Sequence, residues 1–319
     1  MSAAIVTVAI PVLNGGDLFQ RTLDAVRRQS LEAEVEVLVA DSGSSDASRE
    51  AANRAGARVI DIARGEFGHG ATRNVLLREA RGTHVALLTQ DAEPADEGWL
   101  ARLLAGFELA PGVALVYGAY RPRPGASPAV RREIERWFGS LTPGVERLGP
   151  GELELPAVEL MGRRGFFSDA NACVLREAWE RVPFRDIAYA EDRALALDML
   201  RAGYAKVYAP EAVVLHSHQY GRRQRFRRSF DEWRGLREVY DWREPATPRR
   251  LLLRLRGELG QLRREGAGAG ALAQAAQEEL IRFAGAVLGS RAVSLPAPLQ
   301  RRVSLEGRAS RPARDPGGR

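Results

Sequence analysis

The sequence predicts an α/β fold, a mostly parallel central sheet with helices on both faces, followed by a helical C-terminal extension. Three observations predict it. Short apolar runs alternate with segments of helical period through the first half of the chain. Val35 to Ala40 is almost continuously apolar, as expected of a strand buried on both faces. Acidic loops close the apolar runs, at Asp41 to Asp46 and at Asp91 to Glu93, where open α/β sheets gather their chemistry.

The elements follow in order. Val6 to Val12 is a strand closed by Leu13-Asn14-Gly15-Gly16, and Leu18, Leu23 and Val26 then recur at helical spacing. After the strand at Val35 to Ala40, Asp46 is placed to cap a helix running to Arg54. Ala57 to Ile62 reads as a third strand, Thr72 to Ala80 as a helix ended by Arg81-Gly82, and His84 to Leu88 as a fourth strand. Beyond it come a strand at Val113 to Tyr120, a breaker-rich loop at Pro122 to Pro128 and a short helix at Arg131 to Phe138. Thr142 to Pro156 reads as a long mobile connection suited to an acceptor. Phe166 to Leu175 is expected to be a strand, Glu191 to Arg201 a helix, and Val207 to Leu215 a last strand ending at His216. From Arg222 to Tyr240 arginines interleave with Phe226, Phe230, Trp233 and Leu236, and helical sequence continues with a break at Gly266 to Gly270. The expected organisation is a catalytic domain over 1–220, a helical extension over 221–305 and a disordered tail over 306–319.

Composition narrows the class. With 319 residues, 45% hydrophobic and 28% charged, the chain can bury a full core. One cysteine, Cys173, excludes an internal disulfide, and four histidines with one cysteine cannot build a structural zinc cluster of the usual spacing. The absence of a leader or spanning segment leads to the expectation of a cytoplasmic protein. The net charge of +6 comes from arginine, since Lys206 is the single lysine, and the arginines gather after Tyr220. That segment suits either peripheral contact with the inner face of the cell membrane or a helix packed on the catalytic domain through its aromatics, the second being favoured. Interleaved arginines and aromatics do not by themselves identify a nucleic-acid binder, and no nucleic-acid partner is expected.

The candidate site residues stand at strand ends. Asp41 can accept a hydrogen bond from a uracil or thymine N3–H, or else cap its own turn. Pro11, Leu13 and Asn14, at the neighbouring strand end, can form the other wall of a base pocket. No GxGxxG follows the first strand, which argues against a dinucleotide site. Asp91, with Gln90 and Glu93 beside it, is a hard oxygen ligand for Mg²⁺ or Mn²⁺, or a plain turn residue. His216 and His218 lie on one side of an extended segment, either as metal ligands or as an exposed pair. His69 and Arg73 belong to a glycine-rich loop opening a helix, a setting that suits phosphate or sugar hydroxyls. Glu191 and Asp192 open another helix, whose N-terminus favours the ionised form a general base needs; acidic residues are also simply preferred there.

Together Ile10-Pro-Val-Leu-Asn14, Asp41-Ser-Gly-Ser-Ser-Asp46, His69-Gly-Ala-Thr-Arg-Asn74, Thr89-Gln-Asp91-Ala and Ala190-Glu-Asp192-Arg-Ala-Leu-Ala resemble family-2 glycosyltransferases from about Ile5 to Tyr220. The pairing of the Gly-His-Gly-x-Thr-Arg-Asn loop with Thr-Gln-Asp-Ala is most similar to the rhamnosyltransferase-like branch. The resemblance implies a GT-A, Rossmann-like fold, a divalent cation, Mg²⁺ or Mn²⁺, and inverting transfer. It implies a nucleotide-diphosphate sugar donor, dTDP-rhamnose or a UDP-sugar, and a glycan or lipid-linked acceptor of cell-envelope polysaccharide synthesis. By position, Asp41 is implied at the base, Asp91 and His216 at the cation, Arg73 at the leaving diphosphate, and Asp192 as general base with Glu191 beside it. Thr89 stands where the family's first metal aspartate is usual, leaving one carboxylate fewer. The rival readings are a nucleotidyltransferase and a non-catalytic sugar or nucleic-acid binding module.

Overall fold

The computed structural model describes residues 5–162 and 164–307, so the tail expected over 306–319 lies almost wholly outside the described residues. The chain forms two compact units, one of residues up to Asp186 with Glu191–His218, the other of Ile187–Ala190 with the residues from Gln219 on.

The first unit runs β1 (Ile5–Val12), α1 (Gly16–Arg27), β2 (Glu34–Asp41), α2 (Ser48–Arg54), β3 (Arg58–Asp61), α3 (His69–Glu79), β4 (His84–Leu88), β5 (Glu93–Pro94) and α4 (Trp99–Ala105). It continues through β6 (Val113–Arg121), α5 (Pro128–Gly139), β7 (Gly144–Glu146), β8 (Asn171–Leu175), α6 (Arg176–Arg181), α7 (Glu191–Arg201) and β9 (Ala205–Leu215). One sheet takes the order β3-β2-β1-β4-β8-β6-β9-β5, with β7 on β9. Alternate residues of β1 feed two cores. Val6, Val8, Ile10 and Val12 meet Phe19, Leu23 and Val26 of α1 and Trp99 of α4 on one face. Ala9 on the other face belongs to a core with Leu76 and Leu77 of α3 and Leu195 and Met199 of α7. The two-residue period of the strand thus sets helices on both sides.

The sheet is more mixed than alternating strands and helices imply. β8 runs antiparallel to both β4 and β6, while β6 and β9 are parallel. Two antiparallel steps restore the direction, so β6 and β9 end on the same edge as β1, β2 and β4. The strand expected over Phe166 to Leu175 begins only at Asn171, because Ser168 and Asp169 are used in side-chain contacts before it. Thr142 to Pro156, expected to be a mobile connection, contains β7, whose Val145 pairs with Val207. The helices α4 and α6 were not expected; each is a single short amphipathic turn or two, too brief to show a period. α3 starts at His69, three residues before the expected Thr72, with Gly68 extended at its N-cap.

Where β6 meets β9 the register slips between Gly118 and Tyr120, an irregularity that re-aims the Tyr120 side chain at the strand end. Asn171 holds it, its Nδ2 donating to the Ala119 and Ala212 carbonyls at 2.9 and 2.8 Å and its Oδ1 accepting from Trp99 Nε1 at 2.8 Å. A Cβ on Gly118 would lie 1.8 Å from the Ala212 carbonyl oxygen and 2.5 Å from Asn171 Nδ2. Backbone cannot yield there, so Gly118→Ala is expected to destabilise the protein by about 1–3 kcal/mol or more, read as a fall in the thermal midpoint.

The second unit contains α8 (Arg222–Tyr240), α9 (Pro248–Arg264), α10 (Ala269–Gly289) and α11 (Ala297–Val303). α8 and α10 approach closely through glycine: a Cβ on Gly289 would meet the Phe230 carbonyl at 2.2 Å, and one on Gly285 the Phe226 carbonyl at 2.6 Å. Phe230 is fully buried, and the Arg254 guanidinium of α9 lies 5.9 Å from the Trp233 ring. The α8 aromatics are therefore packed among α9 and α10. No helix among the described residues is long and apolar enough to cross a membrane.

Candidate functional site

The site is built at the edge where β1, β2, β4, β6 and β9 end. At β1, Asn14 takes a left-handed conformation, φ 48°, and the turn is tied to the loop after β2. Ser44 Oγ accepts from the Asn14 N–H at 3.0 Å, Asn14 Oδ1 accepts from the Ser45 N–H at 2.8 Å, and Ser48 Oγ accepts from the Gly15 N–H at 2.8 Å. Asp46 links both loops, its Oδ2 accepting from Gly16 and its Oδ1 from Ser48, each at 3.0 Å. Pro11 pairs with Ala40 and Val12 with Asp41, so the two expected walls of a base pocket do lie side by side. Asp41 is buried, and its Oδ1 accepts from the Ser44 N–H at 2.9 Å while Oδ2 lies 3.6 Å from Arg49. It caps its own turn, as one of the two sequence readings had it, with an oxygen left toward Arg49.

Gln90 carries the edge from β1 to β4: its Oε1 accepts from the Leu13 N–H at 2.8 Å, and its Nε2 donates to the Leu13 carbonyl. Asp91 comes next, in a turn closed by the Ala92 N–H on the Thr89 carbonyl at 3.0 Å. Its Oδ1 is 3.5 Å from His216 Nδ1 and its Oδ2 3.6 Å from His218 Nε2. One ligand atom from each of the three residues lies within 4.8 Å of the others. The alternation after β9 that puts both histidines on one side is what brings them to a single carboxylate. Burial pushes the Asp91 carboxyl up, but the charges of His216 and His218, together with hydrogen bonds from Thr89 and its own backbone N–H, hold it below the usual range. Burial lowers His216, which favours the neutral imidazole a metal needs. One carboxylate and two imidazoles form a fitting donor set for a divalent cation, and nitrogen donors suit Mn²⁺ better than Mg²⁺. Arg123, not singled out by sequence, fixes this loop by donating from Nη2 to the Asp91 carbonyl at 2.6 Å and from Nη1 to Glu93 at 3.0 Å.

The acidic half is organised by Arg73. This guanidinium, expected at a leaving diphosphate, is 3% exposed and is instead committed to buried carboxylates. Its Nε lies 2.5 Å from Asp169 Oδ2, its Nη2 donates to Asp169 Oδ1 at 2.8 Å, and its Nη1 donates to Glu191 at 3.3 Å and to the His69 carbonyl at 3.2 Å. A cation so enclosed by two carboxylates holds the acidic pair in place. His69 is the first residue of α3, half-buried and edge-on to Phe67 at 5.3 Å. Burial pushes Asp169 well above the usual carboxylate range, with Arg73 drawing it back. Asp192, partly exposed where Glu191 is buried, is pushed up to about 6 by burial and then by the Glu191 charge. Ala190 just before them is left-handed, φ 65°, which sets the direction in which α7 begins.

Tyr120 joins the halves. Its hydroxyl hydrogen-bonds Ser168, and its ring is edge-on to His216 at 5.0 Å. Burial raises the phenol, Ser168 opposes this, and the charges of Asp192, Asp169 and Asp91 push it further up. The partly buried Tyr120 thus touches His216, the neighbour of Asp91, on one side and Ser168, next to the Asp169 held by Arg73 with Glu191, on the other. Asp169, Tyr120 and Ser168 were missed in the sequence. An aspartate inside the strand expected over Phe166 to Leu175 was the available signal, since a buried carboxylate needs a partner.

Known proteins resemble this chain along most of its length. The model of the family described as Glycosyl transferase family 2 matches residues 7–179, more than half of the chain. The O-antigen chain rhamnosyltransferase RfbN of Salmonella typhimurium is 32% identical over 231 residues, covering 71% of this chain and 70% of that one. WbaN of Salmonella anatum, also described as an O-antigen chain rhamnosyltransferase, is 31% identical over 230 residues, with 70% of each covered. In architecture the chain is similar to a mannosyltransferase of Pyrobaculum calidifontis solved with GDP-Man and Mn²⁺, at a TM-score of 0.59 and 19% identity over 91% of this chain and 87% of that one.

Proposed function

The chain belongs to glycosyl transferase family 2, and from that premise we propose that it transfers rhamnose from a nucleotide-diphosphate donor to a hydroxyl of a cell-envelope glycan acceptor, free or lipid-linked, with inversion. The protein is a glycosyltransferase with a GT-A fold, so the nucleotidyltransferase and binding-module readings fall away. What supports rhamnose is the shared description of the two relatives that match over 70% of their length. What supports the mechanism is a single observation, the run of contacts from Asp91 through His216, Tyr120 and Ser168 to the Asp169–Arg73–Glu191 cluster that precedes Asp192.

In this reading Asp192 takes the proton from the acceptor hydroxyl as its oxygen attacks the anomeric carbon from the face opposite the diphosphate. Arg73, through Glu191 and Asp169, fixes where that carboxylate points. The loops after β1 and β2 receive the nucleoside, with Leu13 exposed beside Gln90. Asp91, His216 and His218 would hold a divalent cation, which when bound neutralises charge on the diphosphate. The test is a panel of dTDP-, UDP- and GDP-sugars with Mn²⁺, following thermal shift and slow nucleoside-diphosphate release. The reading expects dTDP-rhamnose to stabilise and to be hydrolysed; a panel in which no nucleotide sugar shifts the midpoint or is consumed overturns it.

A pH dependence follows. A base raised to about 6 is half ionised there, so kcat is expected to rise with pH through about 6 and level off above it. Because Glu191 contributes to that rise, Glu191→Gln is expected to move the limb to lower pH, measured as kcat against pH with saturating donor.

A further inference from the structure

We infer that the outer face of α9 is a docking surface for an anionic lipid bilayer, an interaction that goes beyond the transfer reaction and does not rest on it. The arginines of α9 divide by face. Arg250 and Arg254 point inward, to the buried Glu244 at 2.9 and 3.2 Å, with Arg254 also meeting Glu279. Arg249, Arg256, Arg263 and Arg264 are exposed, as are Leu252 and Leu253, each at 54%. At 100° per residue these six side chains fall on one stripe together with Gly257. The stripe carries no acidic residue; Glu258, the single carboxylate within α9, projects to the opposite side from Arg249. Leu262, buried, and the partly buried Leu251, Leu255 and Leu259 form the inward face.

Four cations flanking two adjacent exposed leucines, with no carboxylate of α9 on the same stripe, form the pattern of a helix lying flat in a lipid interface. The leucines enter the acyl boundary, and the arginine stems lie along it with their heads among phosphates. Charge complementarity selects the occupant. The aromatics of α8 offer less apolar surface than Leu252 and Leu253, since Phe230 is wholly buried and Phe226 and Trp233 are partly buried.

The experiment is flotation of the full chain with vesicles of phosphatidylcholine, with and without phosphatidylglycerol. The expected result is flotation with the anionic vesicles alone, weakened by salt. Changing Arg249, Arg256, Arg263 and Arg264 to Gln is expected to reduce binding by at least about tenfold. Leu252→Gln with Leu253→Gln is expected to reduce it by about tenfold as well. All variants should keep the wild-type thermal midpoint and donor hydrolysis, and Arg256→Glu alone gives a milder variant with the same direction of effect. The proposal is overturned if wild type fails to float on anionic vesicles, or if the arginine and leucine variants float as wild type does. It is also overturned if the leucine change alters only the sedimentation of the free protein, which would place a second copy of the chain on this face.

Discussion

Asp192→Asn is expected to lower kcat by about 10²–10⁴-fold while leaving donor affinity nearly unchanged. The side chain keeps its shape and an acceptor oxygen for the Arg193 N–H, which Asp192 Oδ1 now receives at 2.7 Å, so α7 should begin as it does in the native chain. What is lost is the ability to take a proton. The sign of the stability change separates this from a folding defect. A carboxyl whose folded value is raised to about 6 favours the folded state in its protonated form, and ionising it opposes folding as pH rises through 6. A neutral amide removes that opposition, so above pH 6 the variant should melt at the same temperature as wild type or higher. Below about pH 4 the native carboxyl is protonated in both states, and the difference should vanish. Full transfer activity in this variant would remove Asp192 as base; inactivity with a lowered midpoint would point to structural damage instead. A parallel Arg73→Met change should damage stability, because it leaves Asp169 and Glu191 buried without their cation.

The parts of the molecule legible in the sequence are those set by local period and punctuation. β4 and α7 fall on the expected residues, since His84 to Leu88 is bounded by Gly82 and the turn at Gln90, and Glu191-Asp192 marks a helix start with acidic residues. β8 is shorter than its sequence suggests because Phe166-Phe167 looks like strand but packs as rings, Phe166 against Tyr117 at 5.6 Å and Trp137 at 5.0 Å. Its antiparallel direction is a long-range choice that no local pattern records. The same split holds for the site. Strand-end residues such as Asp41, Asp91 and His216 could be found by position, because the carboxyl edge of the sheet is implied by the fold. The fate of Arg73 could not, since its partners Asp169 and Glu191 lie 96 and 118 positions away. An arginine in a glycine-rich loop looks equally suited to an external phosphate or to internal carboxylates until the fold places them.

Asp91→Asn is expected to cost about a hundredfold or more in kcat and to abolish stabilisation by Mn²⁺. The argument runs from the donor set. With Thr89 in place of a first carboxylate, Asp91 supplies the whole anionic part of the cluster, and the remaining donors are the two imidazoles of His216 and His218. An amide has no charge to offer, and losing the last anionic ligand removes about 3 kcal/mol of support for a developing diphosphate, roughly a hundredfold in rate. His216→Ala should have an effect of similar kind, since this ring is enclosed while His218 is 44% exposed and so more readily replaced by water. The ordering expected is therefore Asp91 above His216 above His218. Two readouts test it without relying on turnover: the Mn²⁺-induced rise in thermal midpoint, and Mn²⁺ titration by electron paramagnetic resonance. In both, Mn²⁺ should act at lower concentration than Mg²⁺, because nitrogen donors favour the softer cation. Equal affinity for the two ions, or wild-type Mn²⁺ stabilisation in Asp91→Asn, would show that this cluster holds its shape for another purpose, with the aspartate serving only to orient the two histidines.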